Sequence, residues 1–140
     1  MQKIHFHFHD KKYNLRGRAE IKKTAEEIFK KEKIRLLKLD YIFCSDDYLV
    51  NINIKFLKHD FLTDIITFNL SSKMSEVEGE VYISIDRVVD NARGLHVPIR
   101  EEFCRVIFHG ALHLCGYSDK TKAEIRLMRK KEEEYLNYVR

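Results

Sequence analysis

The sequence has few of the features that mark secreted, membrane-spanning or multidomain proteins. Its three cysteines are odd in number and form no CxxC pair, so they do not describe a disulfide framework. No apolar run approaches the ~18 residues that a membrane span needs, and the first residues lack the apolar stretch and cleavage site of a signal peptide. We therefore expect a cytoplasmic protein without a membrane partner, in which Cys44, Cys104 and Cys115 are reduced and mostly buried.

Proline is also scarce, and no segment has the composition of a linker. Pro98 is the single proline, and neither an internal repeat nor a low-complexity tract interrupts the chain. Hydrophobic residues make up 44% of the sequence and charged residues 34%, which suits one core beneath a heavily solvated surface. We predict one domain over residues 1–140.

Positive charge is concentrated at the N-terminal end. Residues 1–40 carry 12 Lys/Arg and 6 Asp/Glu, whereas residues 41–140 carry 14 and 16. A basic segment suits a polyanion such as RNA, because phosphate neutralisation drives that binding. Lys22 and Lys23 are therefore candidates for holding an RNA backbone, the alternative being an ordinary solvated helix face.

Hydrophobic periodicity predicts four strands and about five helices in mixed order, which is an α+β fold. We expect Asp86 to cap the third helix and Asp119 to begin the last, where Thr121 and Glu124 have capping-box spacing. A polar loop is expected over residues 71–79. The strands are expected over residues 3–9, 38–44, 64–68 and 80–85, and the helices over 17–35, 48–57, 86–94, 99–115 and 119–138.

Three histidines alternate with apolar residues near the N-terminus. His5, His7 and His9 share one face of the predicted first strand, which resembles a metal cluster. The alternative is that Ile4 and Phe6 face the core and leave the histidines outward on an edge strand, and we favour it.

The strongest metal signal lies near the end of the fourth helix. His109 and His113 are four residues apart, so both imidazoles lie on one helix face and can reach one tetrahedral ion. Gly116 can end the helix and let the chain return, so that Asp119 offers a third ligand. The alternatives are a pair of satisfied core histidines and an aspartate that only caps a helix. Cys115 lies about 200° around the helix from His113 and suits the core better.

The residue after the first histidine argues against a peptidase. Metalloproteases of the HExxH type have a glutamate general base there, and this chain has Gly110. Because glycine inside a helix costs about 1 kcal/mol relative to alanine, we expect a backbone or a substrate to approach Gly110 closely.

The same segment resembles a known family. Residues 109–119, HGALHLCGYSD, are similar to the motif HGxLHLxGYDH of the YbeY family of bacterial rRNA maturation factors. The resemblance extends to TDIITF at residues 63–68, GEV at residues 79–81, and the pair Met128 and Glu132.

This resemblance implies a zincin-like arrangement, with the metal-binding helix central to a small mixed sheet. It implies a zinc-dependent, single-strand-specific endoribonuclease with one Zn²⁺ per chain, acting in maturation of the 16S rRNA 3′ end and in ribosome quality control. Ribosomal RNA, the small subunit and assembly factors would be its partners. Asp64 and Glu80 are candidate carboxylates for supporting a metal ligand or transferring a proton. A metallohydrolase of peptides or small molecules, and a non-catalytic assembly factor with a structural metal, remain alternatives.

The chain departs from the family at two positions. Asp119 stands where the family has a third histidine, and Leu57 falls where the family has an arginine associated with RNA phosphate. Lys55, Lys58 or His59 are candidates to replace that arginine.

Overall fold

Alternating apolar residues in the strands and helical spacing elsewhere produce the following elements. The computed structural model describes residues 2–58 and 63–140, so His59 lies outside the described residues. Within these ranges no helix has the length and apolar character needed to cross a membrane. The strands are β1 (Ile4–Phe8), β2 (Arg35–Cys44), β3 (Ile65–Asn69) and β4 (Glu76–Ser84). The helices are α1 (Arg18–Lys31), α2 (Asp46–Ile52), which continues as a π-helical turn (Asn53–Leu57), α3 (Ile85–Leu95), α4 (Ile99–Leu114) and α5 (Lys122–Leu136).

The four strands form one mixed sheet in the order β1-β2-β4-β3. β1, β2 and β4 run parallel, while β3 is antiparallel to β4 at the edge. Parallel neighbours need a crossover connection, which α1 supplies between β1 and β2. The expected α+β class, with a mixed four-stranded sheet and five α-helices among the described residues, is confirmed.

The main core lies between one face of the sheet and the helices. Tyr41, Phe43, Val81 and Ile83 are fully buried on that face, and the Tyr41 hydroxyl donates to the Ile107 carbonyl of α4 over 2.8 Å. The buried stripe of α1 joins the same core, as its helical spacing predicts. The helix that carries the histidine pair is therefore fixed against the middle of the sheet.

Close packing of α4 on the sheet explains the glycine inside it. A Cβ atom at Gly110 would lie 3.0 Å from Ile65 Cδ1 and 3.0 Å from Val81 Cγ1. Two strand side chains, and not the backbone or substrate expected from the sequence, occupy this space. The glycine lets the histidine-bearing stretch of α4 lie directly on β3 and β4.

Two strands begin earlier than their composition indicates. Arg35 pairs with Glu76 and Leu36 with Val77, so part of the expected loop at residues 71–79 belongs to β4. Val77 is 1% exposed. Val77 is buried because β4 pairs with β2, which is distant in the sequence. The polar residues around Val77 do not indicate this pairing.

The expected cap of α3 is wrong by two residues. Ser84 is the N-cap, and its side chain accepts a hydrogen bond from the Arg87 amide at 3.1 Å. Asp86 instead accepts from the Asp46 amide at 2.8 Å and forms an ion pair with Lys11. The carboxylate therefore joins the start of α2 to α3.

His5 and His7 lie on the edge strand β1, as expected, and His9 directly follows it. The His7 side chain is 55% exposed and its Nε2 lies 3.0 Å from the Asp40 carboxylate. Within residues 2–58 and 63–140, the histidines of this strand are not part of any cluster suited to holding a metal.

The tight contact at Gly110 predicts a stability effect. Gly110→Val should lower the free energy of unfolding by about 1–3 kcal/mol, because added methyl groups overpack the α4–sheet contact. Gly94→Val is the matched control, since Gly94 lies in α3 and a Cβ atom added there would have nothing within 4 Å. Urea denaturation of both variants measures the difference, and equal stabilities would contradict the packing account.

Candidate metal centre

One face of α4 carries polar side chains although most of the helix is buried. Arg105, His109 and His113 follow one another at intervals of four residues, which places them on one face. The two imidazole rings are nearly perpendicular, at 84°, with centroids 4.6 Å apart. The side chains of His109 and His113 are 12% and 28% exposed, so the pair forms the floor of an opening to solvent.

The chain reverses directly after this helix. Gly116 has φ 107°, a conformation that favours glycine. Its amide donates to the His113 carbonyl and the Tyr117 amide donates to the Leu112 carbonyl, both over 3.0 Å. These bonds close the last turn of α4 and direct the following segment back over the histidines.

The returning segment places Asp119 against both imidazoles. Its Oδ2 lies 3.4 Å from the Nε2 atom of His109 and 3.4 Å from that of His113. Tetrahedral zinc with bonds of ~2.0–2.1 Å sets its donor atoms roughly 3.3–3.4 Å apart. The three side chains form a group that could hold a metal ion, and these distances fit zinc.

Asp119 is not a helix cap in this structure, so the start expected for the last helix is wrong. The N-cap of α5 is Thr121, whose side chain accepts from the Glu124 amide while Glu124 returns a bond to the Thr121 amide. This is the predicted capping box. Asp119 lies two residues before the cap, and its side chain is 41% exposed. Its carboxylate is therefore available to a metal ion.

A buried carboxylate on α5 orients the first histidine. Glu132 is 1% exposed, and its Oε2 lies 2.6 Å from His109 Nδ1. Burial raises the pKa of Glu132, but the hydrogen bond with His109 and the charge of Arg105 outweigh it, and the pKa lies below its ordinary value. The ionised carboxylate accepts, so Nδ1 carries a proton, and Nε2 is the nitrogen left to bind a metal ion.

Arginines and a second buried glutamate surround Glu132. Arg105 donates to Glu132 over 3.3 Å and to both oxygens of Glu102 over 2.8 and 2.5 Å. Burial is the largest single effect and lowers the pKa of Arg105, but the hydrogen bonds with Glu102 and the neighbouring carboxylate charges together outweigh it, so the pKa is raised. Arg129 donates to Glu132 over 2.8 Å. The buried charges are thus paired, as their desolvation requires.

Cys115 does not join the ligand group, in agreement with its predicted place in the core. Burial raises the pKa of its thiol to about 12. The thiolate form that binds metals is therefore scarce near neutral pH.

The histidines open into a polar cleft of about 290 Å³ between α4, β3, the segment that carries Asp119, and Arg129 of α5. Asp64 lines this cleft together with His109, His113 and Asp119. The Asp64 Oδ2 atom accepts a hydrogen bond from the side-chain Nδ2 of Asn91 over 3.2 Å. Asp64, one of the two candidate carboxylates, therefore lies in the same cleft as the three possible metal ligands.

The other candidate, Glu80, lies on the opposite face of the sheet. Its neighbour Val81 packs under Gly110 of α4, so Glu80 points the other way. The Tyr82 hydroxyl donates to the Glu80 carboxylate over 3.1 Å. Glu80 does not line the metal cleft, because strand alternation separates it from the histidines.

None of the four candidate RNA-binding lysines lines the cleft. On α1, Lys22 lies over the Phe6 ring at 5.0 Å and Lys23 is exposed. Lys55 and Lys58 are exposed at the π-helical turn, where Leu57 also has 42% exposure. The cationic side chains that line the cleft are Arg105 and Arg129.

Four charged residues of the site carry no role that the sequence pattern predicts, namely Glu102, Arg105, Arg129 and Glu132. The spacing of Arg105, four residues before His109, could have placed it on the metal face of α4. Glu132 is part of the family resemblance, but its contact with His109 has no local signal, because the two residues meet only when α5 folds back on α4.

Known proteins have clear sequence similarity to this chain. The profile of the family described as "Endoribonuclease YbeY" matches residues 4–140. The chain is 51% identical to "Endoribonuclease YbeY" of Cytophaga hutchinsonii over 134 residues, which cover 96% of this chain and 94% of the relative. This chain belongs to the YbeY family. A second member, from Amoebophilus asiaticus, is 41% identical and covers 95% and 90% of the two chains.

A solved structure has the same fold. The solution structure of TM1509 from Thermotoga maritima is 28% identical to this chain, with a TM-score of 0.64. The match covers 96% of this chain and 88% of TM1509. The fold expected from the family resemblance is thus confirmed.

Asp119 faces the histidines and Thr121 caps α5, so replacing each residue should have a different effect. Asp119→Ala should weaken zinc affinity by more than about 100-fold, since loss of a group that only orients a ligand already costs roughly 10–100-fold. Thr121→Ala should cost about 1 kcal/mol of stability through the lost cap, with zinc affinity unchanged. Competition with a chromophoric chelator measures affinity, and thermal denaturation measures stability.

Asp119→His extends the same test, because it restores the ligand that the family has at this position. It should bind zinc far more tightly than Asp119→Ala. Wild-type zinc affinity in Asp119→Ala would contradict the assignment of Asp119 as a ligand.

Proposed function

We propose that this chain is a zinc-dependent endoribonuclease that cleaves single-stranded RNA at the cleft over α4. The observation that carries the proposal is the convergence of His109 Nε2, His113 Nε2 and Asp119 Oδ2, at distances that fit one tetrahedral ion. Three protein ligands and an opening to solvent are typical of a catalytic zinc site, whereas structural sites have four protein ligands. One Zn²⁺ per chain is the expected content.

When bound, the ion would polarise a phosphoryl oxygen and lower the pKa of a bound water. The chain's own residues would supply orientation and proton transfer. Glu132 fixes the His109 tautomer, and Arg105 and Arg129 keep Glu132 ionised. Asp64, the candidate carboxylate that lines the cleft, is the proton acceptor in this proposal.

Several features support RNA over peptides as the substrate. Gly110 occupies the position of the HExxH glutamate and packs on Ile65 and Val81, so no general base projects from there. The relatives from Cytophaga hutchinsonii and Amoebophilus asiaticus are named endoribonucleases. A single strand suits a small open cleft, because a regular duplex holds its phosphates and 2′-hydroxyls in fixed geometry.

Membership of the YbeY family supports a role in rRNA processing. We assign the chain to rRNA maturation at the 16S rRNA 3′ end and to ribosome quality control in the cytoplasm. Its partners would be the small ribosomal subunit and assembly factors, and the whole of residues 1–140 would act as one hydrolase domain. Lys22, Lys23, Lys55 and Lys58 would hold distant parts of the RNA backbone, since they lie outside the cleft.

Metal removal should abolish RNA cleavage. A labelled single-stranded RNA should be cut by zinc-loaded protein, and chelation or His113→Ala should slow cleavage by more than about 100-fold. Loss of one transition-state donor already costs roughly 10²–10³. The same RNA annealed to its complement should be cut far more slowly. Gel analysis of the products measures the rates.

His7→Ala serves as the matched control, because His7 is an exposed histidine on β1. It should cleave RNA at the wild-type rate. Zinc-loaded protein that binds RNA without cutting it would favour the non-catalytic assembly factor, and cleavage of peptides alone would favour a peptidase. Cleavage that survives chelation would overturn the metal mechanism.

A further inference from the structure

The metal cleft adjoins a second cavity that no part of the proposed reaction uses. This cavity has a volume of about 420 Å³ and lies along the C-terminal end of α3, beside Asn91 and Leu95. Arg105, Arg129 and Asp64 line both cavities, so they form the boundary between them. A chain that lies across the metal centre can continue over this boundary into the second cavity.

The charges of this surface restrict how an anion could bind. Even without Asp119, which would bind the metal ion, carboxylates outnumber cationic side chains, so a phosphate that lies beyond the ion needs an accessible positive group to offset their repulsion. Among the described residues that line the two cavities, the cationic side chains are Arg105 and Arg129, and the carboxylates are Asp64, Asp90, Glu102 and Asp119.

The two arginines differ in how much of the guanidinium is free. Arg105 is 16% exposed and is held by both oxygens of Glu102 and by Glu132. Arg129 is 57% exposed, and its Nη1 donates to Glu132 over 2.8 Å. Within the part of the chain that the structure describes, Glu132 is the one hydrogen-bond partner of Arg129. A guanidinium has five N–H donors, so most of those on Arg129 can reach a ligand.

Glu132 gives this guanidinium a fixed position. The same carboxylate binds His109 Nδ1 through Oε2 and Arg129 Nη1 through Oε1. An anchored arginine loses less side-chain entropy on binding than a free lysine, and its planar fork suits two phosphate oxygens. The metal ligand His109 and the exposed cation are therefore held by one buried group.

From these contacts we infer that Arg129 is the side chain that binds an RNA backbone phosphate beside the metal centre, and that the RNA runs across it from the metal cleft into the cavity beside Leu95. This inference rests on the proposed function. It assigns to α5 a substrate-binding role in addition to the orientation of His109.

The test compares Arg129→Gln with Arg126→Gln in full-length, zinc-loaded protein. Arg126 is a matched control, because it is an exposed arginine on the same helix that lines neither cavity. A 2′-O-methyl single-stranded RNA reports affinity by fluorescence anisotropy at several salt concentrations, and gel analysis after each reading shows whether the RNA has stayed intact. Zinc content and cleavage rates are measured on the same preparations.

Arg129→Gln should bind this RNA roughly 10–100-fold more weakly, as expected for a lost charged hydrogen bond. The slope of log affinity against log salt should become shallower by about 0.7, the value for one phosphate contact on a single strand. Arg129→Lys should restore the slope but only part of the affinity, because lysine keeps the charge and lacks the fork. Arg126→Gln should match wild type. Zinc content should be unchanged in all variants, because Glu132 keeps its contacts with Arg105 and His109 when Arg129 is replaced.

Three results overturn the inference. RNA affinity and salt slope equal to wild type in Arg129→Gln would exclude a phosphate contact. Loss of zinc in parallel with RNA affinity would show that Arg129 acts only through Glu132 on the metal site. Wild-type protein that neither binds nor cuts RNA would overturn the proposed function as well, whereas an RNA-cleaving wild type with an unaffected Arg129→Gln variant would overturn this inference alone.

Discussion

The hydrogen bond between the buried Glu132 carboxylate and His109 Nδ1 is the contact on which the site depends. It joins α5 to α4 over 2.6 Å and fixes which imidazole nitrogen presents a lone pair. A carboxylate with 1% exposure is costly to bury unless it is fully paired, and Arg105 and Arg129 complete its pairing. The buried Glu132 carboxylate needs hydrogen-bond donors, and the donors that it binds are His109, Arg105 and Arg129, which all line the cleft.

A second constraint is the close contact between α4 and the sheet. Gly110 brings α4 within van der Waals distance of Ile65 and Val81, and this contact sets the depth at which the histidines lie. It also brings Asp64, at the start of β3, into the same cleft as His109. A larger residue at position 110 would move the helix away from the strand that contributes this carboxylate.

Much of the fold and the ligand group could be predicted from the sequence, because their signals are local. The i,i+4 histidines, Gly116 and the capping box at Thr121 depend on neighbours within a few residues. Glu80 was a misleading candidate, since a motif resemblance does not say which face of a strand a side chain takes. Arg129 could not be found in this way, because its position depends on how α5 packs against α4, which no local pattern encodes.

The most direct test of the central claim is anomalous diffraction at the zinc absorption edge, from crystals of the protein loaded with Zn²⁺. We predict one strong peak about 2.0–2.1 Å from His109 Nε2, His113 Nε2 and the Asp119 carboxylate, with Glu132 still bonded to His109 Nδ1. A peak at the N-terminal histidines instead, or an occupied site in which Asp119 is not a ligand, would contradict the claim.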